Sequence, residues 1–194
     1  AEHVVRLFMS LALDDRLAEY MASEGLIPVL LNISLTQKAS EGLIEPVSST
    51  RPFERSPTHR LWCSILALVT SLANTLCYSE TFMLDEIGSF ARLYSPQLLK
   101  AIGTISLPDP TLRGSYDMSL TVAGIEEAEL VTDLLAVVSS KPIGRPLLSL
   151  PEHYRQAMLT ALQTLAHCLN HPNSTSKWLE NDVTRKSGSR LMGL

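Results

Sequence analysis

Residues 61–79 read LWCSILALVTSLANTLCYS, nineteen positions without one charge. Their apolar members, from Leu61, Trp62 and Cys63 through Ile65, Leu66, Leu68, Val69, Leu72, Ala73 and Leu76, are spread round the whole circumference of a helix. A helix that is apolar all round has to be covered on several sides, by other helices or by lipid. The length approaches the roughly 20 apolar residues of a membrane span. Ser64, Thr70, Ser71, Asn74, Thr75 and Ser79 dilute it, however, and no basic cluster flanks either end. The stretch therefore reads as a buried central helix around which amphipathic helices pack, with no transmembrane segment.

The composition agrees with a folded chain. Hydrophobic residues make up 45% of the 194 positions, which argues against disorder. A net charge of −4 weighs against a nucleic-acid surface, whose footprint is basic. The three cysteines make no disulfide framework. Cys63 and Cys77, on one helix, would stand about 21 Å apart, whereas a bridge needs Cα atoms within about 7 Å. With Cys168 they read as small buried apolar groups in a reducing compartment. The chain opens in helical pattern without an initiator Met, and reads as a fragment of something longer.

Helical spacing runs through Val4, Leu7, Phe8 and Leu11, and again through Leu17, Tyr20 and Met21, with a break at Asp14-Asp15-Arg16. Gly25 stops this run and Pro28 opens the next, the usual order of helix-ending Gly and helix-starting Pro. Residues 37–57, rich in Ser, Pro and charge, read as a long loop, after which Ser56-Pro57 caps the central helix. A further helix follows from residue 79, with Asp85 and Glu86 facing out and Gly88 as its end; Ser95-Pro96 then starts a short one, QLLKAI. Residues 104–120 hold Pro108, Pro110 and Gly114 and form a second loop. From Ile125 an amphipathic helix carries Ala128, Leu130, Leu134, Leu135, Val137 and Val138, with Glu126, Glu127 and Glu129 complementing its dipole. A last helix carries Tyr154, Met158, Leu162, Leu165 and Leu169, and residues 179–194 turn polar. No strand-like alternation appears, and the expected class is all-α.

No constellation for chemistry emerges. His167 and His171 share a helix face at the spacing of a zinc-binding pair, but no third ligand is evident, and histidine also suits a helix C-terminus. Glycine-rich phosphate loops and nucleophile-elbow motifs are absent. Asp14-Asp15 and Glu126-Glu127 are adjacent pairs that diverge on a helix, and read as solvated faces. Trp62 reads as core. Trp178 is a candidate partner anchor, because Trp is enriched at interface hot spots.

The segment DDRLAEYMASEGLIPVLLNISL resembles one armadillo unit, with its small-residue turn at Gly25 and its Ile27-Pro28-x-Leu30-Leu31 helix followed by Asn32. Trp62 through Glu86-Ile87-Gly88 to Ser95-Pro96-Gln97-Leu98-Leu99 repeats the plan of long helix, helix and short helix. The order LWCSILALVTSLANTL, SPQLLKAI, SLTVAGIEEAELVTDLLA is similar to the C-terminal tail region of the large inner-ring scaffold nucleoporins. That resemblance implies an irregular armadillo/HEAT-like right-handed solenoid of three units (1–36, 58–103 and 121–178). It implies a structural scaffold of the nuclear pore complex, at the nuclear envelope, supporting protein and mRNA transport. It implies no enzyme and no cofactor, and partners among other nucleoporins, whose linker segments present short helical motifs, and among transport factors. An armadillo-type transport receptor or cytosolic adaptor is the second expectation; Asn32 suits it, but no Trp precedes Asn32. In a stack of this kind the third helices, here 28–35 and 96–102, line the concave face. Asn32, Gln97 and Lys100 are then the candidates for contacting a partner.

Overall fold

A computed structural model describes residues 2–48, 54–76, 82–104 and 121–139, together with Glu152, Gln156 and Leu159. These residues form eight helices: α1 (Glu2–Leu11), α2 (Asp15–Ser23), α3 (Leu26–Leu30), α4 (Thr36–Ser40), α5 (Pro57–Thr75), α6 (Phe82–Leu93), α7 (Ser95–Thr104) and α8 (Val122–Ser139). Among them there is no strand, only an isolated antiparallel bridge between Val47 and Arg55. No described helix is long and apolar enough to cross a membrane.

α5 is the central helix that the uncharged stretch demands. Pro57 opens it, since a missing N–H costs nothing in the first turn. Ile65, Leu66, Leu68, Val69, Leu72 and Ala73 are buried, on positions that go round the helix rather than along one stripe. Cover comes from α1 on one side and α8 on another, and α8 also packs on α7. Aromatic rings complete the cover: Trp62 stacks on Phe90 at 6.0 Å between centroids and meets Tyr94 edge-on at 5.2 Å. Phe90 and Tyr94 are themselves edge-to-face at 4.7 Å. Such pairs add about 0.5–1.5 kcal/mol beyond the area they bury.

The break at Asp14 is an N-cap. Its carboxylate accepts from the backbone N–H groups of Arg16 and Leu17 at 3.0 and 3.1 Å, and α2 starts there. Gly25, at φ 75°, reverses the chain after α2 in a conformation that a side chain would strain. The hexapeptide Ala-Ser-Glu-Gly-Leu-Ile occurs at 22–27 and again at 39–44. In its second copy Gly42, at φ 70°, ends α4 with Leu43 N–H donating to Lys38 O at 2.8 Å and Gly42 N–H to Ala39 O at 3.2 Å. In both copies the Ala and the Ile are buried.

Several expectations are corrected. The stretch 37–57 is not loop throughout, because α4 occupies its start and Ser48 N–H to Glu54 O (2.9 Å) and Ser56 N–H to Pro46 O (3.1 Å) tie its two arms together. The helix expected over 28–35 ends at Leu30, and turns fill the chain up to Thr36. α6 runs through Gly88 because Ile87, Phe90, Ala91 and Tyr94 form an i, i+3, i+4, i+7 buried stripe whose burial outweighs glycine's cost. Glu86 does not face out fully: its Oε2 is buried with no hydrogen-bond partner among the described residues, and desolvation raises its carboxyl above the usual range. α8 begins one turn early, at Val122, where the Thr121 hydroxyl accepts from Gly124 N–H at 3.0 Å. The 104–120 loop and the helix expected beyond residue 150 lie outside the described residues, save for Thr104 at the end of α7 and helical positions at Glu152, Gln156 and Leu159.

Leu68 is 0% exposed at the middle of α5. Leu68→Asp should cost several kcal/mol by burying an unpaired carboxylate, and cooperative thermal unfolding should be lost or move far down. An unchanged melting curve would mean that α5 is not the core.

Candidate functional site

Among the described residues, a cluster of ionisable and polar side chains lies where α5, α7, α8 and the residues ahead of α5 meet. Glu127 is at its centre and is 2% exposed. Its Oε1 accepts from Trp62 Nε1–H at 2.7 Å and from Gln97 Nε2–H at 2.8 Å, and its Oε2 lies 3.0 Å from His59 Nε2. Arg55 Nε–H points at His59 Nδ1 at 3.2 Å. A guanidinium can only donate, so Nδ1 is the accepting nitrogen and the imidazole proton sits on Nε2, facing the carboxylate. Arg55 also reaches Glu126 at 2.7 Å.

Local sequence explains the convergence. His59, Trp62, Cys63 and Leu66 stand at i, i+3, i+4 and i+7 on α5 and are all buried. On α8 the buried stripe is Gly124, Glu127, Ala128, Val131, Leu134 and Leu135, so Glu127 occupies a core position in an otherwise apolar row. The expectation that Glu126-Glu127 is solvated therefore splits. Glu126 is half-exposed and ion-paired, whereas Glu127 is sealed. The register of α8 carried that signal, and so did the spacing from His59 to Trp62.

Of the site residues expected from sequence, the structure buries Gln97 and leaves Lys100 half-buried against the chain's own backbone. Gln97 is 0% exposed; its Oε1 accepts from Ile44 N–H at 3.1 Å and its Nε2 donates to Ile44 O at 3.1 Å as well as to Glu127. Lys100, one turn on, donates from Nζ to Gly42 O at 2.9 Å and pairs with Glu45 at 2.7 Å. The α7 face expected to meet a partner is thus covered by the chain's own 42–45 segment. Asn32 is exposed, with Nδ2 donating to Pro28 O at 3.0 Å, and does not join the cluster. Trp178, His167 and His171 lie outside the described residues.

The chemistry of the cluster is that of a lock. Cys63 Sγ stands 3.7 Å from His59 Nδ1 and 3.8 Å from Nε2. Near-equal distances place the sulfur off both lone-pair axes, unlike the single short bond of a nucleophile and its base. Burial pushes the Cys63 thiol from 9.0 up to about 12, with Glu127 adding to the rise and Arg55 opposing it. Among the described residues no group of three or more His, Cys, Asp or Glu is placed to hold a metal ion. Nearby, α1, α5 and α8 border an open groove of about 420 Å³ with Met9, Cys63 and Leu130 among its lining residues. Its rim charges pair: Arg6 with Glu2 at 2.8 Å and Arg55 with Glu126 at 2.7 Å. No protein-family model, curated protein or solved structure matches the chain.

Glu127→Ala should leave the N–H donors of His59, Trp62 and Gln97 buried without an acceptor, at a cost of about 3–5 kcal/mol in urea unfolding. Glu127→Gln keeps the Oε1 acceptor but sets an amide N–H against His59 Nε2–H, and should cost about 1–3 kcal/mol. Cys63 gives a pH test. Its folded value lies above its unfolded one, so its contribution is full below about pH 9 and is lost as pH rises towards about 12. Relative to Cys63→Ala, wild-type stability should fall by about 1.4 kcal/mol per pH unit in that window. A flat difference would mean that the thiol is not sealed.

Proposed function

We propose that this chain is a non-catalytic helical scaffold, an irregular armadillo/HEAT-like right-handed stack of the kind found in inner-ring nucleoporins, whose outer helix faces bind helical segments of other pore proteins. The observation that carries this reading is that α1 is apolar on two sides. Val5, Phe8 and Met9 rest against the core, while Val4 and Leu7 are 54% and 59% exposed on another face. A helix apolar on two sides suits an array in which each layer is covered by the next. Of the ten large apolar side chains exposed among the described residues, seven fall between Val4 and Leu43, so the uncovered surface is concentrated in α1–α4 and the turns beside them. The sealed Glu127 cluster supports the same reading, since its polar groups are spent on holding helices together.

Cross-linking followed by mass spectrometry in nuclear-envelope extracts tests this. Cross-links from Lys38, exposed on α4, to other nucleoporins are expected. Cross-links to transport cargo instead would favour the transport-receptor reading, and an absence of both would overturn the pore assignment.

A further inference from the structure

The sequence contains two Ser-Pro dipeptides, and the fold treats them differently. Ser95-Pro96 starts α7 between buried Tyr94 and buried Gln97 and Leu98, so reaching it means lifting α7 from the core. Ser56-Pro57 stands where the segment ahead of α5 ends. There Glu54 and Pro57 are exposed, Arg55, Ser56 and Thr58 are half-buried, and the first buried residue is His59. Ser56 is extended, at φ −58° and ψ 129°, as a following proline favours. It holds the N-cap position of α5, yet its hydroxyl makes no capping bond, so that group does nothing for the helix. Two arginines adjoin it. Arg55 precedes it in the chain, and Arg60 N–H donates to Ser56 O at 3.0 Å. The Arg55 guanidinium is engaged with His59 Nδ1 at 3.2 Å and, across to α8, with Glu126 at 2.7 Å. Arg60 Nε stands off at 4.0 Å from Glu2.

We propose that Ser56 is a phosphorylation site for a proline-directed protein kinase, and that the phosphoserine takes Arg55 from Glu126. In the transfer Ser56 Oγ attacks the γ-phosphorus of a nucleoside triphosphate and forms the new O–P bond. The bond from that phosphorus to the bridging oxygen breaks, the diphosphate leaves, and the hydroxyl proton passes to the kinase's base. The product carries about −1.5 to −2 charges and three acceptor oxygens, one residue from Arg55. Glu126 offers a single charge from another helix, in a pair that solvent reaches on both sides. Arg55 therefore turns to the phosphate, with Arg60 as the second clamp, because an arginine–phosphate pair is the stronger one. His59 Nδ1 then loses the N–H that faces it, whereas Trp62 and Gln97 keep their bonds to Glu127. One hydroxyl thus controls the bridge from the segment ahead of α5 to α8.

The test incubates the whole chain with a proline-directed serine kinase and ATP, and reads each position by mass spectrometry. Ser56 should be phosphorylated at least about tenfold faster than Ser95, which has to wait for α7 to open. Pro57→Ala should remove most of the reaction at Ser56 and leave circular dichroism unchanged. Arg55 is followed by NMR of the arginine Nε–H groups, its signal assigned by its loss in Arg55→Lys. That signal should move when the chain is phosphorylated, and should stay where it is in Ser56→Ala treated with the same kinase. Equal rates at Ser56 and Ser95, no phosphate at Ser56, or an Arg55 signal unmoved in the phosphorylated chain would overturn the proposal. So would a signal that moves equally in Ser56→Ala, because the charge would then act from elsewhere. None of these results bears on the scaffold reading, which the cross-links test separately.

Discussion

Glu127 is the point on which the relative placement of the helices depends. Apolar contacts between α8 and its neighbours are non-directional and would tolerate a rotation of the helix about its axis. A carboxylate that must meet His59, Trp62 and Gln97 together does not. A shift of one residue that put Ala128 in its place would carry Glu127 about 100° round α8 and orphan every donor. Burying a charge is costly in itself, so the cluster contributes less as net stability than as a penalty on every other packing. Gln97 extends the constraint by passing it to the backbone of Ile44, and Arg55 extends it to Glu126 on the rim. One carboxylate thereby fixes α5, α7, α8 and the 42–45 segment in a single register.

Around that polar lock the packing follows from α5. A helix apolar round its circumference cannot sit at an edge, and the neighbours it needs come from both directions along the chain. α1 arrives from before it, α8 from after it, and the α6–α7 junction supplies Phe90 and Tyr94 for Trp62. Tyr94 also ties the far side, because its hydroxyl donates to Leu30 O at 2.9 Å. Thr75 Oγ1 likewise donates to Ala12 O at 2.7 Å, pinning the C-terminal end of α5 to the turn between α1 and α2. The helix ends are held by such side-chain bonds because apolar contact alone leaves them free to slide.

The all-helical class, the central helix, the Asp14 break and the Gly25 turn were legible because each has a local cause: periodicity, a capping side chain, or a residue that accepts positive φ. α4 was not, since five residues of Thr, Gln, Lys, Ala and Ser carry no stripe long enough to show a period. Its legible trace was the second Ala-Ser-Glu-Gly-Leu-Ile, whose glycine ends a helix as the first one does. The buried roles of Glu127 and Gln97, and the half-buried one of Lys100, were hidden for another reason. Each has an ordinary surface explanation, as dipole complement or helix exterior, and only contacts 30 to 68 positions away along the chain overrule it. His59 passed unnoticed at the start of α5 for the same reason, its partners lying on another helix. Long-range polar pairing leaves no periodic mark of its own, except where a charged residue falls in a core register, as Glu127 does.

The division between interior and exterior then bears on function. Among the described residues, the polar groups of His59, Gln97 and Glu127 are sealed and matched in the centre, where they hold geometry. Large apolar groups that could have stabilised the centre are instead exposed on α1, α2 and α3. Folding alone favours neither, since a buried carboxylate costs free energy and an exposed leucine forgoes some. Both make sense if a fixed arrangement of helices has to present an unchanging surface to another protein. The lock removes alternative registers of the core, and on the proposed scaffold reading the apolar ridges would meet a partner without a prior rearrangement of the chain.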